Sequence, residues 1–141
     1  MKPVATVFLT LISASGCATE FRIFDQEMRL REDCSLEVRS PDDTTATHRL
    51  PLVNRDRCVV LPVSGTNVPR MELVQGDYVF LVEAQRRDGD ECTGELAAVV
   101  VHRDGQVVVG QKTRKTGTCG YGERKDFEIL RYHATKQPPL R

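Results

Sequence analysis

The sequence predicts an all-β protein, a small disulfide-stabilised β-sandwich, with a small barrel as the alternative closure. Three observations carry this. Tyr78, Phe80, Val82 and Ala84 alternate with Val79 and Leu81, so one run is apolar on both faces, as a central strand is. Several further short apolar runs are separated by turn residues. Four cysteines, Cys34, Cys58, Cys92 and Cys119, are even in number and widely spaced, which in an exported chain reads as two disulfides.

The chain opens on an export leader. Met1-Lys2 is a short positive start, and Val4 to Ile12 is apolar except for Thr6 and Thr10. That run is shorter than the roughly 20 residues a membrane-spanning helix needs. Ser13 to Gly16 are small, and Ala14-Ser15-Gly16-Cys17 resembles the lipobox of bacterial lipoproteins, with Ala14 where Leu is commonest. The resemblance implies cleavage before Cys17, acylation of its thiol, and, because Ala18 and not Asp follows it, an outer-membrane address on the periplasmic face. An ordinary leader cut after Ala18 is the alternative. Stable anchoring takes more than one acyl chain, which the diacylglyceryl group of such lipoproteins supplies. The expected organisation is a signal peptide over 1–16, a lipidated N-terminus and tether over 17–33, the sandwich over 34–134 and a flexible tail over 135–141.

Within the tether, Phe21, Phe24 and Met28 fall at helical spacing, while Phe21 and Ile23 alternate as in a strand. The segment is therefore either a short amphipathic turn or an edge strand. From Cys34 the period becomes two: Cys34 to Arg39 reads as a half-buried strand, and Pro41-Asp42-Asp43 as a turn. His48 to Val53 reads as an edge strand, because Pro51 has no N–H to give a ladder. Cys58 to Leu61 is the next strand, closed by Pro62, and residues 64–69 form a loop. Gln75-Gly76-Asp77 turns into the central run, which Asp88-Gly89-Asp90 ends; Leu96 to Val101, Val107 to Val109 and Phe127 to Tyr132 supply the remaining strands. The stretch Val74 to Ala84 also resembles the G-x-Y-x-F-x-V-x-A strand of immunoglobulin-like and prealbumin-like sandwiches, which implies architecture alone.

Asp104-Gly105 between two apolar runs is the signature of a two-residue hairpin turn. Residue 103 then faces 106, and counting outward sets Cys92 opposite position 117, two residues from Cys119. Cys92–Cys119 is the expected bridge, and Cys34–Cys58 follows by elimination. Each closes a loop for which the chain-entropy estimate is about 3 kcal/mol.

Charge is divided along the chain. Residues 17–102 carry 10 basic and 16 acidic side chains, and residues 103–141 carry 9 and 4. The near-neutral total excludes the basic footprint of a nucleic-acid binder. The basic end offers either a contact face for an acidic partner or charges that neutralise the acidic half on packing. Gly117 to Gly122 is glycine-rich without phosphate-loop spacing. With Lys112, Arg114, Lys115, Tyr121, Arg124 and Lys125 around it, it reads as a candidate partner-binding loop, or else as a disulfide-pinned connector.

Catalytic signatures are missing from the sequence. His48, His102 and His133 stand in no metal-ligand or catalytic spacing, and no serine sits in a G-x-S-x-G elbow. The cysteines form no close pairs, and Asp88, Asp90 and Glu91 lack an EF-hand pattern. No metal and no cofactor is expected. The expected function is a non-enzymatic envelope lipoprotein acting as a protein-interaction module, a complex subunit or an inhibitor or immunity protein. A small ligand-binding or hydrolytic lipoprotein is the alternative.

Overall fold

The computed structural model describes residues 19–52 and 56–136. The leader, Cys17 with its lipidation, Val53 and residues 137–141 of the tail lie outside the described residues. Two antiparallel sheets face each other, and one helix covers the far side of the second. The sandwich expectation holds, and neither sheet closes into a barrel.

The first sheet is a four-stranded meander of β1 (Thr19–Ile23), β2 (Gln26–Leu30), β3 (Ser35–Arg39) and β4 (Thr45–Arg49). The edge-strand alternative for Phe21 and Ile23 is the one observed. Phe24, at φ 54°, makes the tight turn that pairs Ile23 with Gln26. Residues 19–30 are thus a hairpin of the sandwich and not a tether; Phe21, Ile23, Met28 and Leu30 all point into the core. Alternation decides this, because the helical spacing of Phe21, Phe24 and Met28 would leave Ile23 and Leu30 in water. The expected edge strand at 48–53 is displaced to residues 45–49, while Leu50 and Leu52 leave the ladder and drop into the core.

The second sheet runs β5 (Arg57–Val60), β7 (Asp77–Asp88), β8 (Glu91–Val101), β9 (Val107–Thr116), with β6 (Glu72–Val74) also on β7. Gln75 and Gly76, at φ 48° and 87°, form a two-residue turn between the paired Val74 and Asp77. As expected, β7 is central and buried on both faces. Phe80, Val82 and Ala84 pack between the sheets with Phe21, Leu36 and Val99. The Phe21 and Phe80 rings meet edge to face at 5.0 Å. Val79 and Leu81 turn to the opposite side with Leu96, Ala98 and Val100.

That opposite side corrects the last predicted strand. Phe127 to Tyr132 belongs to a helix, α1 (Arg124–Thr135). Phe127, Leu130 and Ala134, at helical spacing, face the sheet, whereas Ile129 and Tyr132 are exposed. The first turn is set by the Glu123 N–H, which donates to Asp126 Oδ2 at 2.8 Å. The helix crosses the sheet from the β6 side, where a Cβ on Gly122 would lie 2.5 Å from Leu61, to β9, where one on Gly110 would lie 3.2 Å from the Ala134 Cβ. Arg70 stacks on the Phe127 ring at 4.6 Å.

The β8–β9 turn also differs from expectation. His102 N–H donates to Gln106 O and Gly105 N–H to His102 O, both at 2.9 Å, so the connection has three residues and not two. Gly105 takes φ 90°. A register shift between Ala97 and Val99 then moves Gly94 opposite Thr116, which brings the ends together at Cys92–Cys119. Both expected disulfides are present, with Cα–Cα distances of 5.5 Å for Cys34–Cys58 and 5.4 Å for Cys92–Cys119.

Because α1 is held mainly by burial, Phe127→Ala should lower the unfolding free energy by about 3–5 kcal/mol in urea titrations. Ile129→Ala, on the exposed face, should change it by less than about 0.5 kcal/mol.

Candidate functional site

The Gly117–Tyr121 turn, which the sequence marks out, is fixed from two sides. The Cys92–Cys119 bridge holds it to the start of β8, and the Cys119 N–H donates to Cys92 O at 3.1 Å. From below, Gly120 N–H reaches both carboxyl oxygens of Glu83 at 2.9 Å. Glu83 is fully buried on β7 and also accepts from Gln85 Nε2 at 2.8 Å. An acidic group in such a place is tolerated only with donors on its oxygens. Gly94 makes the room, since a Cβ there would sit 2.5 Å from Glu83 Oε2. One cue to this arrangement is legible in the sequence: Glu83 interrupts an otherwise apolar run.

The six predicted partner-binding residues divide into two groups. Arg114 Nη1 lies 2.7 Å from Asp126 Oδ1, Arg124 Nη1 2.5 Å from Glu72 Oε1, and Lys125 Nζ 3.0 Å from Glu123. The Tyr121 hydroxyl donates to Glu123 Oε1 at 2.9 Å. That bond raises the phenol above its ordinary value, while Lys125 and the same bond hold the Glu123 carboxyl below its own. Much of the basic surplus is therefore neutralised within the fold. Lys112 and Lys115 remain exposed on β9, the strand that leads into the turn, and Tyr121 is 56% exposed at its far side.

Beside the turn is an open depression of about 570 Å³, lined by Gln85, Arg87, Asp90, Glu91 and residues 117–120. Asp88, the last residue of β7, and Asp90 in the turn that follows it are exposed. Among the described residues no cluster of His, Cys, Asp or Glu is arranged to hold a metal ion.

A second polar cluster was missed by sequence reasoning because its members come from three distant segments. Asp77, at the start of β7, accepts from Arg131 Nη2 at 2.7 Å and Nε at 3.1 Å, and its other oxygen lies 2.8 Å from His102 Nδ1. Arg131 also donates to Gln75 Oε1 at 3.3 Å. Burial pushes the Asp77 carboxyl up, but the hydrogen bonds from His102 and Arg131 outweigh it and leave the group below its ordinary value. This cluster ties α1 to the β6–β7 turn. The His133 and Tyr132 rings meet edge to face at 5.4 Å, and His48 stands on β4.

Glu83→Ala would strand the Gly120 N–H and the Gln85 amide, and should cost about 3 kcal/mol in urea unfolding, with Glu83→Gln losing less. Because the folded-state pKa of Asp77 lies below the unfolded value of 3.8, its contribution is full above that value and fades as pH falls through the folded one. Asp77→Asn should therefore cost about 1–3 kcal/mol near neutrality, and the gap to the parent should narrow on acidification below about pH 4, as read by thermal or urea unfolding.

Comparison with protein-family models, with curated proteins and with solved structures returns no match to this chain.

Proposed function

We propose that this protein is a non-enzymatic lipoprotein of the bacterial outer membrane. Acyl chains on Cys17 tether it on the periplasmic face, and its β domain binds another envelope protein, as a complex subunit or as an inhibitor or immunity protein. The observation that carries the interaction reading is the immobilised Gly117–Tyr121 turn. It is clamped by a disulfide and by the buried Glu83, with Tyr121 exposed and Lys112 and Lys115 on the strand feeding it. A surface already rigid before binding loses little conformational entropy on association, and exposed Tyr is a favoured anchor of protein interfaces. The address is supported by the Ala14-Ser15-Gly16-Cys17 stretch. One residue, Ala18, separates Cys17 from the start of β1 at Thr19, a reach of at most about 7 Å, so an acylated Cys17 would hold the sandwich close to the bilayer.

The Asp77–His102 pair is the observation that serves the ligand-binding or hydrolytic alternative. Its bonds run onward to Arg131, so the pair acts as a helix-docking contact in this fold.

Two measurements test the proposal separately. Mass spectrometry of the mature N-terminus should find an acylated Cys17; an unmodified chain would remove the anchor and leave the binding surface standing. Cross-linking in envelope fractions should then capture one acidic protein partner, reduced at least tenfold by combining Tyr121→Ala, Lys112→Glu and Lys115→Glu. Equal capture by the triple variant would reject this surface.

A further inference from the structure

Among the described residues four sheet edges bound the sandwich, and three of them carry features that obstruct further pairing. On β9 a register shift interrupts the ladder, and Lys112 and Lys115 stand on the strand. The β5–β6 side is broken by the Pro62–Pro69 bridge, and the Leu73 carbonyl on it accepts from Arg124 Nη2 at 3.2 Å. On β1, Glu20 and Arg22 alternate, both held in ion pairs with β2.

β4 differs. Thr45-Ala46-Thr47-His48-Arg49 pairs with β3 without a register shift, and holds no Pro, Gly, Lys or acid. Thr45, Ala46, Thr47 and Arg49 are exposed. The chain then turns away from the edge, because Leu50 and Leu52 are buried between the sheets.

Among the described residues, the ladder fixes which backbone groups of β4 are unused. Ser40 N–H donates to Thr44 O at 2.9 Å, and Leu50 N–H to Cys34 O at 3.2 Å. Antiparallel pairing bonds alternate residues. Ala46 and His48 therefore aim their backbone at β3, and Thr45, Thr47 and Arg49 aim theirs outward. An antiparallel copy of this strand centred on Thr47 uses every one of those groups. Thr47 then faces Thr47 of the second copy, and Thr45 faces Arg49 of the second copy on either side. The sole charge on the edge lands at the turn of the second copy that carries Asp42 and Asp43. A slip toward the C-terminus brings Pro51, which has no N–H, opposite Thr45, and a further slip sets Arg49 against itself.

We propose that β4 is a self-association edge: two copies of this chain pair their β4 strands antiparallel about a two-fold axis at Thr47, joining the four-stranded sheets into one of eight strands. Such an interface is isologous and closed, so it gives a dimer and not a fibre. It does not depend on the lipid anchor.

The full-length chain tests this. Analytical ultracentrifugation should show a concentration-dependent dimer. Thr47→Pro deletes only an outward N–H, and Thr47→Lys sets two charges at the axis. Each should weaken the dimer at least tenfold while leaving the unfolding midpoint of the monomer within a few degrees of the parent. Thr47→Cys should form a disulfide-linked dimer on oxidation, since directly facing residues lie about 5.5 Å apart. Thr45→Cys should not, because its twin lies about 14 Å away at this register. A chain that stays monomeric at every concentration overturns the proposal, and is the result expected if the edge receives an extended segment of a different protein. Equal cross-linking at positions 45 and 47, or a dimer indifferent to Thr47→Pro, overturns it as well.

Discussion

The architecture depends on one constraint: β7 and β8 are apolar on both faces, so neither side of the second sheet can be left to water. Val79, Phe80, Leu81 and Val82 are fully buried together, although successive residues point in opposite directions. One set is covered by the first sheet. The other has no third sheet and is covered by α1. At about 25 cal/mol per Å² of apolar area, each of these faces is worth several kcal/mol. The helix is thus a structural necessity of the strand it covers.

The polar features follow from the same packing. Glu83 sits in the outward-facing row of β7 at the end that α1 does not reach, and the Cys119–Gly120 turn folds over to bring the Gly120 N–H to it. At the other end of that row Asp77 meets Arg131 from the helix. Both ends of the helix-covered layer are therefore closed by a carboxyl group bound to an element that follows β9. The acidic first part of the chain and its basic last part meet in these contacts and in Arg124–Glu72.

How far the fold was legible in the sequence depended on whether its cause was local. The central strand could be read from Tyr78 to Ala84, because two-sided burial leaves a continuous apolar run. The disulfides could be read because a hairpin counts residues, and although the turn was one residue longer than expected, the register shift in β9 offset the slip. The helix reads as a strand in the sequence because Phe127, Ile129 and Tyr132 look alike in composition. Only the face already offered by Leu81 and Val100 decides which of them is buried. The site was less legible. Tyr121 and the basic residues are visible as types, but the pairing of Arg124 with Glu72 and of Arg114 with Asp126 is a product of tertiary approach, as is the meeting of Asp77, His102 and Arg131.

The position of α1 at the end of the described chain has a consequence for biogenesis. A polypeptide made or translocated from its N-terminus presents the strands of both sheets before residues 124–135 emerge. Until then Val79, Leu81, Leu96, Ala98 and Val100 lack the helix that covers them. During that interval the nascent molecule is a client for any holdase that recognises flat apolar surface, and a chain truncated before Arg124 would keep that plane uncovered.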